Sequence, residues 1–179
     1  IRRQRQMCIR DSFGSEANGP DAVRAEVRKL LKEGADYIKI VASGGSTRTS
    51  DPRRASYTVE ELRAITDEAH RQGKLTGAHC ACRQSVVNCL DAEVDMIIHC
   101  GLSEADGSYS PAQDLVERLA AAGVWVNPTL YNLEAATNAI AAKRERQGFL
   151  APQEETQFAF LKKRLEIQME AVGRMIRAG

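Results

Sequence analysis

Residues 74–100, KLTGAHCACRQSVVNCLDAEVDMIIHC, decide the fold. Two short apolar runs, KLTGAHC (74–80) and VDMIIHC (94–100), flank a stretch from Arg83 to Ala92 that reads as a helix. A strand, a helix and a second strand in that order make a βαβ unit, which lays the two strands parallel. The same unit recurs on both sides. Upstream, Thr58 and Glu61 form a capping box that starts a helix running to about Gln72, and Gly73 ends it. Before it lie a strand, YIKIVAS (37–43), and a loop, GGSTRTSDPRRAS (44–56), whose length favours a functional loop over a plain connector. Further upstream Gly19-Pro20-Asp21 opens a helix with Val23, Val27, Leu30 and Leu31 on one face, stopped by Gly34. Downstream come a helix from about Ser110 to Ala122, a strand VWVNPTL (124–130), and helices over 131–147 and 153–178.

Four strands alternating with helices imply an α/β fold with a parallel sheet. A doubly wound sheet and an arc of a (β/α)8 barrel both fit. A whole barrel takes about 250 residues, so the 179 residues here span about half of one. The first twelve residues, IRRQRQMCIRDS, carry four arginines and no periodicity. They read as a non-native or disordered segment, leaving 13–179 as the partial barrel domain.

A strand buried on both faces should be nearly all apolar. Here Lys39 interrupts YIKIVAS, His79 sits near the end of KLTGAHC, and His99 near the end of VDMIIHC. Ligands of parallel α/β sheets bind at the C-terminal ends of strands, where these three groups converge. Imidazole is a standard ligand of zinc and similar divalent ions. A lysine buried beside a cation shifts toward its neutral amine, which can take up carbon dioxide to become a carbamate. The third histidine, His70, lies near the end of a polar helix and reads as a surface residue.

The formal net charge of +1 gives no sign of a nucleic-acid partner, and no apolar run is long enough to span a membrane. Five cysteines, Cys8, Cys80, Cys82, Cys89 and Cys100, are odd in number and irregular in spacing. That argues for a reducing, cytoplasmic location and for thiols acting as small buried apolar groups. Neighbours on a strand point to opposite faces, so His79 with Cys80, or His99 with Cys100, makes a poor shared metal site.

Together, GPDAVRAEVRKLLKEGADYIKIVASGG (19–45), DPRRASYTVEELRAITDEAHRQGKLTGAHC (51–80), CLDAEVDMIIHC (89–100) and AAAGVWVNPTL (120–130) resemble the amidohydrolase superfamily. The similarity is greatest to its imidazolonepropionase-like and prolidase-like branch. The resemblance implies a (β/α)8 barrel of which this chain supplies roughly strands four to seven. It implies a catalytic, carbamylated Lys39 bridging two divalent metal ions, zinc being the expected metal, with His79 and His99 as further metal ligands. It implies hydrolysis of an amide, peptide or cyclic amide bond in a small, dipeptide-like substrate, and a homo-oligomeric complete protein. The family's first-strand His-x-His pair and eighth-strand Asp have no counterpart in this sequence, so the chain alone is expected to be inactive. Arg48, Arg53 and Arg54 in the long loop are candidates for meeting a substrate carboxylate. Glu93 stands where relatives carry a small residue.

Two alternatives use the same residues. The segment GADYIKI also suits a Schiff-base lysine of a barrel aldolase, with Lys39 as nucleophile; an imine mechanism leaves the two histidines without a purpose. The other is a non-catalytic fragment with only part of a site.

Overall fold

A computed structural model describes residues 14–45, 50–109 and 113–178. The amino-terminal segment read as non-native lies outside them, as do Arg48 and the first residues of the helix expected from Ser110. Four strands, β1 (Ile38–Val41), β2 (Thr76–His79), β3 (Met96–Ile98) and β4 (Trp125–Asn127), form one sheet. They lie side by side in chain order, and every neighbouring pair is parallel. The helices are α1 (Pro20–Lys32), α2 (Val59–Arg71), α3 (Arg83–Asp91), α4 (Gln113–Ala122), α5 (Leu130–Gln147) and α6 (Pro152–Ala178). A doubly wound sheet reverses its strand order partway and carries helices on both faces. This sheet does neither, so the architecture is an arc of a (β/α)8 barrel.

Local chemistry accounts for the elements. Pro20 occupies the first turn of α1, and Gly34, at φ 87°, ends it in the left-handed region that glycine tolerates. At α2 the Thr58–Glu61 capping box forms, and the Glu61 carboxylate also accepts the Gly19 N–H at 2.8 Å. One residue thus caps α2 and fixes the start of α1 beside it. The two helices are clamped further along, where buried Glu68 accepts two 2.9 Å hydrogen bonds from Arg28.

The core lies between the sheet and its helices. Ile38, Ile40, Ala78 and Ile97 meet Val23, Val27, Leu62, Ile65, Val86, Leu115 and Leu119. The opposite sheet face is uncovered, contrary to the expectation of strands buried on both sides. Val41, Met96 and Trp125, which point that way, are all exposed. The strands are also shorter than the apolar runs. VWVNPTL yields only Trp125–Asn127 as strand, because Pro128 has no N–H for a ladder and Leu130 already begins α5.

Candidate functional site

Alternation along β1 decides where Lys39 goes. Ile38 and Ile40 are buried under the helices, so Lys39 and Val41 face the open side. In the sheet register Lys39 pairs with Gly77 and Val41 with His79. His79 therefore shares the face of Lys39, one step nearer the C-terminal ends, and Gly77 puts no side chain between them. Solvent reaches Lys39, yet burial of its amine lowers its pKa, and the nearby Cys80 thiol only partly opposes this.

His99 needs a different device. The register sets His79 opposite Ile98, so strict alternation would send His99 to the helix side. Instead β3 stops at Ile98, and His99 and Cys100 adopt left-handed backbone, φ 73° and 50°. The turn brings the His99 ring edge-on to the His79 ring, with centroids 4.6 Å apart. Non-glycine residues in this region cost roughly 1–3 kcal/mol each and persist only where surroundings impose them. Here the His99 N–H donates to the Asn127 carbonyl at 2.8 Å. Gln168 of α6, itself buried, donates to the His99 carbonyl at 3.0 Å and the Cys100 carbonyl at 2.9 Å. The Gly101 N–H then donates to the Cys80 carbonyl at 2.8 Å. A Cβ on Gly101 would lie 2.0 Å from the Ala81 carbonyl oxygen, so only glycine permits this approach.

Hydrogen bonds also sort the imidazole nitrogens. His79 Nε2 lies 3.2 Å from the Gly44 carbonyl oxygen, which can only accept, so Nε2 carries the proton and Nδ1 is bare. His99 Nδ1 lies 2.7 Å from the Thr129 hydroxyl, and its Nε2 has no partner among the described residues. The loop ends behind these rings are laced together. Ser43 Oγ accepts the Ala81 N–H at 2.7 Å, and Ser103 Oγ donates to the Ala81 carbonyl at 2.9 Å.

The electrostatics favour neutral bases. Burial lowers the His79 pKa, the Gly44 hydrogen bond opposes it, and the Lys39 charge adds to the lowering. Burial, with the charges of His79, Lys39 and Arg164, brings His99 down to about 4. The neighbouring charges acting on His99 are all positive. Among the described residues no three His, Cys, Asp or Glu side chains gather as a ligand set.

The remaining candidates separate clearly. Cys80, Cys82, Cys89 and Cys100 are free thiols buried in the core. Hydrogen bonding to Cys80 and burial push Cys89 up, and burial pushes Cys100 up to about 12, so both stay protonated and inert. His70 is on the surface, 2.8 Å from Asp95. Arg53 and Arg54 both pair with Asp51, at 3.0 and 3.6 Å, rather than standing free for a ligand. Three contributors were not singled out from sequence: Thr129, Gln168 and Arg164. Gln168 left one signal, a lone amide on the α6 stripe of Leu161, Ala171 and Met175.

The chain matches the amidohydrolase family over residues 5–179. It is 32% identical over 91 residues to ochratoxinase of Aspergillus niger, covering 50% of this chain and 19% of that protein. The crystal structure of A. niger ochratoxinase superposes with a TM-score of 0.71 at 24% identity, over 91% of this chain and 33% of that one. A crystal structure of an amidohydrolase gives 0.68 at 28% identity, over 93% and 37%. This chain belongs to the amidohydrolase family. The stretch aligned in sequence spans about a fifth of the length of these curated relatives and the superposed part a third of the A. niger structure, so the four-stranded arc matches part of a larger fold. Among the described residues no helix is long and apolar enough to cross a membrane.

Proposed function

We propose that Lys39, His79 and His99 are metal ligands in an enzyme that hydrolyses a carbon–nitrogen bond of an amide, peptide or cyclic amide. The observation that carries the reading is the meeting of two imidazoles at 4.6 Å, made possible by a strained backbone, on the sheet face that holds Lys39. The donor set suits a divalent ion such as zinc. Both rings are biased toward the neutral form, and each leaves one nitrogen, His79 Nδ1 and His99 Nε2, without a partner among the described residues. What three positive or neutral groups lack is an anion. Lys39 supplies it if its neutral amine attacks carbon dioxide, forming an N–C bond and releasing a proton, which leaves a carbamate of two oxygens. That arm can bridge two ions.

In such a site a divalent metal supplies Lewis acidity, acidifying water and polarising a substrate carbonyl. The chain's own residues do the rest. The Gly44 carbonyl fixes the tautomer of His79, and it and the Thr129 hydroxyl hold the angle of the two rings, as partners of metal-bound histidines do. Gln168 and Gly101 hold the backbone that presents His99. The proton transfers to the leaving nitrogen are assigned to a residue outside this sequence, so the 179-residue chain alone is inactive while the longer protein is a hydrolase. A small, dipeptide-like substrate, a cytoplasmic location and a homo-oligomeric state complete the reading. An imine-forming Lys39 has no use for the imidazole pair.

Metal analysis of the full-length gene product should find about two divalent ions per chain, the number a bridged site holds. Lys39→Ala should abolish tight binding, and Lys39→Glu, which restores a carboxylate, should keep part of it. A full-length protein that hydrolyses its substrate undiminished after complete metal removal would refute the reading.

A further inference from the structure

One row of the open sheet face has a gap in it. Register sets Lys39, Gly77, Met96 and Trp125 side by side on that face, and only Gly77 lacks a side chain. The gap falls at the residue that pairs with Lys39. A glycine inside a strand packs nothing and weakens the sheet, so it marks a demand made by something else, such as a group that must approach closely.

The fold itself does not make that demand. Gly77 is a buried ladder residue paired with a strand on each side, and its backbone lies outside the left-handed region. A Cβ there would meet Ile98 Cδ1 at 3.7 Å and Met96 Cβ at 3.9 Å, which are ordinary van der Waals contacts. Gly44 and Gly101 differ, because a Cβ on either would run into backbone oxygen at 2.3 and 2.0 Å. Alanine in place of Gly77 is therefore compatible with the sheet, and the notch bounded by Gly77, Met96 and Ile98 is spare room.

The Lys39 arm borders this notch. Among the described residues β2 is the strand beside β1, and on the shared face it offers Gly77 level with Lys39 and His79 one step on. The lysine charge acts on His79 and, beyond it, on His99, so the arm leans across β2. Carbamate formation enlarges that arm. An Nζ–C bond to carbon dioxide forms, the amine proton leaves to solvent, and a planar carboxylate is added at the tip.

We propose that Gly77 is a clearance for the Lys39 carbamate: the absent side chain leaves the notch between Met96 and Ile98 free for the enlarged arm as it crosses β2 toward the two imidazoles. The proposal rests on the metal-ligand reading above and adds the positioning residue that makes room for the modification.

The test uses the full-length gene product, stripped of metal and re-equilibrated with zinc and isotope-labelled bicarbonate. Carbon NMR counts the carbamate per folded chain, and bound zinc is measured alongside. Wild type should carry the label on Lys39. Gly77→Ala should fold, with a thermal midpoint in the metal-free state no lower than wild type, yet at limiting bicarbonate its labelled fraction should fall about 10-fold or more, as overpacking a fitted space does. Lys39→Glu brings its own carboxylate on a shorter arm, so its zinc binding should be the same with and without Gly77→Ala. Equal labelling of wild type and Gly77→Ala would overturn the clearance and leave the ligand reading standing. A Gly77→Ala variant that does not fold, or one that loses zinc equally in the Lys39→Glu background, would overturn it too, because the sheet rather than the arm then needs the glycine. A wild type that binds zinc without taking up label removes both the carbamate and the clearance.

Discussion

Replacing Gln168 by leucine tests how the site is held. Leucine nearly matches the volume of glutamine, so the packing of α6 is retained while two donated hydrogen bonds vanish, at 3.0 Å to His99 and 2.9 Å to Cys100. Gln168 is 4% exposed, so water does not readily replace the lost donor. Each stranded carbonyl costs about 1–3 kcal/mol. Part is recovered when the left-handed pair relaxes, since each such residue stores roughly 1–3 kcal/mol. The net expectation is a loss of about 2–3 kcal/mol, seen in urea unfolding as a lower midpoint at unchanged slope. The relaxed backbone should also carry the His99 ring away from His79, shifting the ring-proton resonances of both. A variant within about 0.5 kcal/mol of wild type, with both histidine spectra unchanged, would show that the backbone at His99 needs no external clamp.

Two further outcomes follow from the same geometry. Glu93 ends α3 at φ 57°, with its N–H donating to Leu90 and that of Val94 to Cys89, the position where glycine is favoured. Glu93→Gly should therefore stabilise the chain by up to about 1 kcal/mol in thermal unfolding; a destabilised variant would contradict the strain argument. Asp95 accepts hydrogen bonds from His70 and from the Thr76 N–H and hydroxyl, 2.7–2.8 Å. Burial works against its ionisation, but these partners outweigh it and hold the carboxyl below the usual aspartate range. A lowered folded pKa gives stability that is present above the unfolded value, about 3.9, and lost as pH falls through the folded one. Asp95→Asn should thus cost stability near pH 7 and progressively less below about pH 3.5, read from urea midpoints across that range.

Much of the fold was legible because each boundary carries its own chemistry. Pro20, Gly34, Thr58 with Glu61, and Gly73 mark helix ends whatever the rest of the chain does. Lys39 and His79 were legible for a similar reason, since period-two alternation places a strand residue once its neighbours are known to be buried. His99 was singled out by its place at a strand end, and the structure puts it just past β3, but its direction was not legible. The pairing of His79 with Ile98 depends on register, and the correction depends on Gln168, 69 residues away in sequence. Nothing local to VDMIIHC announces a left-handed turn. The uncovered sheet face was missed as well, because an apolar strand such as β4 reads the same whether its second face is packed or bare. The loop arginines drew attention through composition alone, and composition does not show that Asp51 already holds two of them.

The backbone of Ala81, gripped by Ser43 on its N–H and by Ser103 on its carbonyl, joins the exits of three strands at one point. Beyond that clasp, and beyond Gly44 and Thr129, which touch the two rings themselves, the connecting segments make no hydrogen bond to the imidazoles among the described residues. Such a chain separates what natural selection may vary from what it must keep. The outer loops are then open to change while the strand exits stay in register, and a serine-to-alanine change at the clasp would couple the two again.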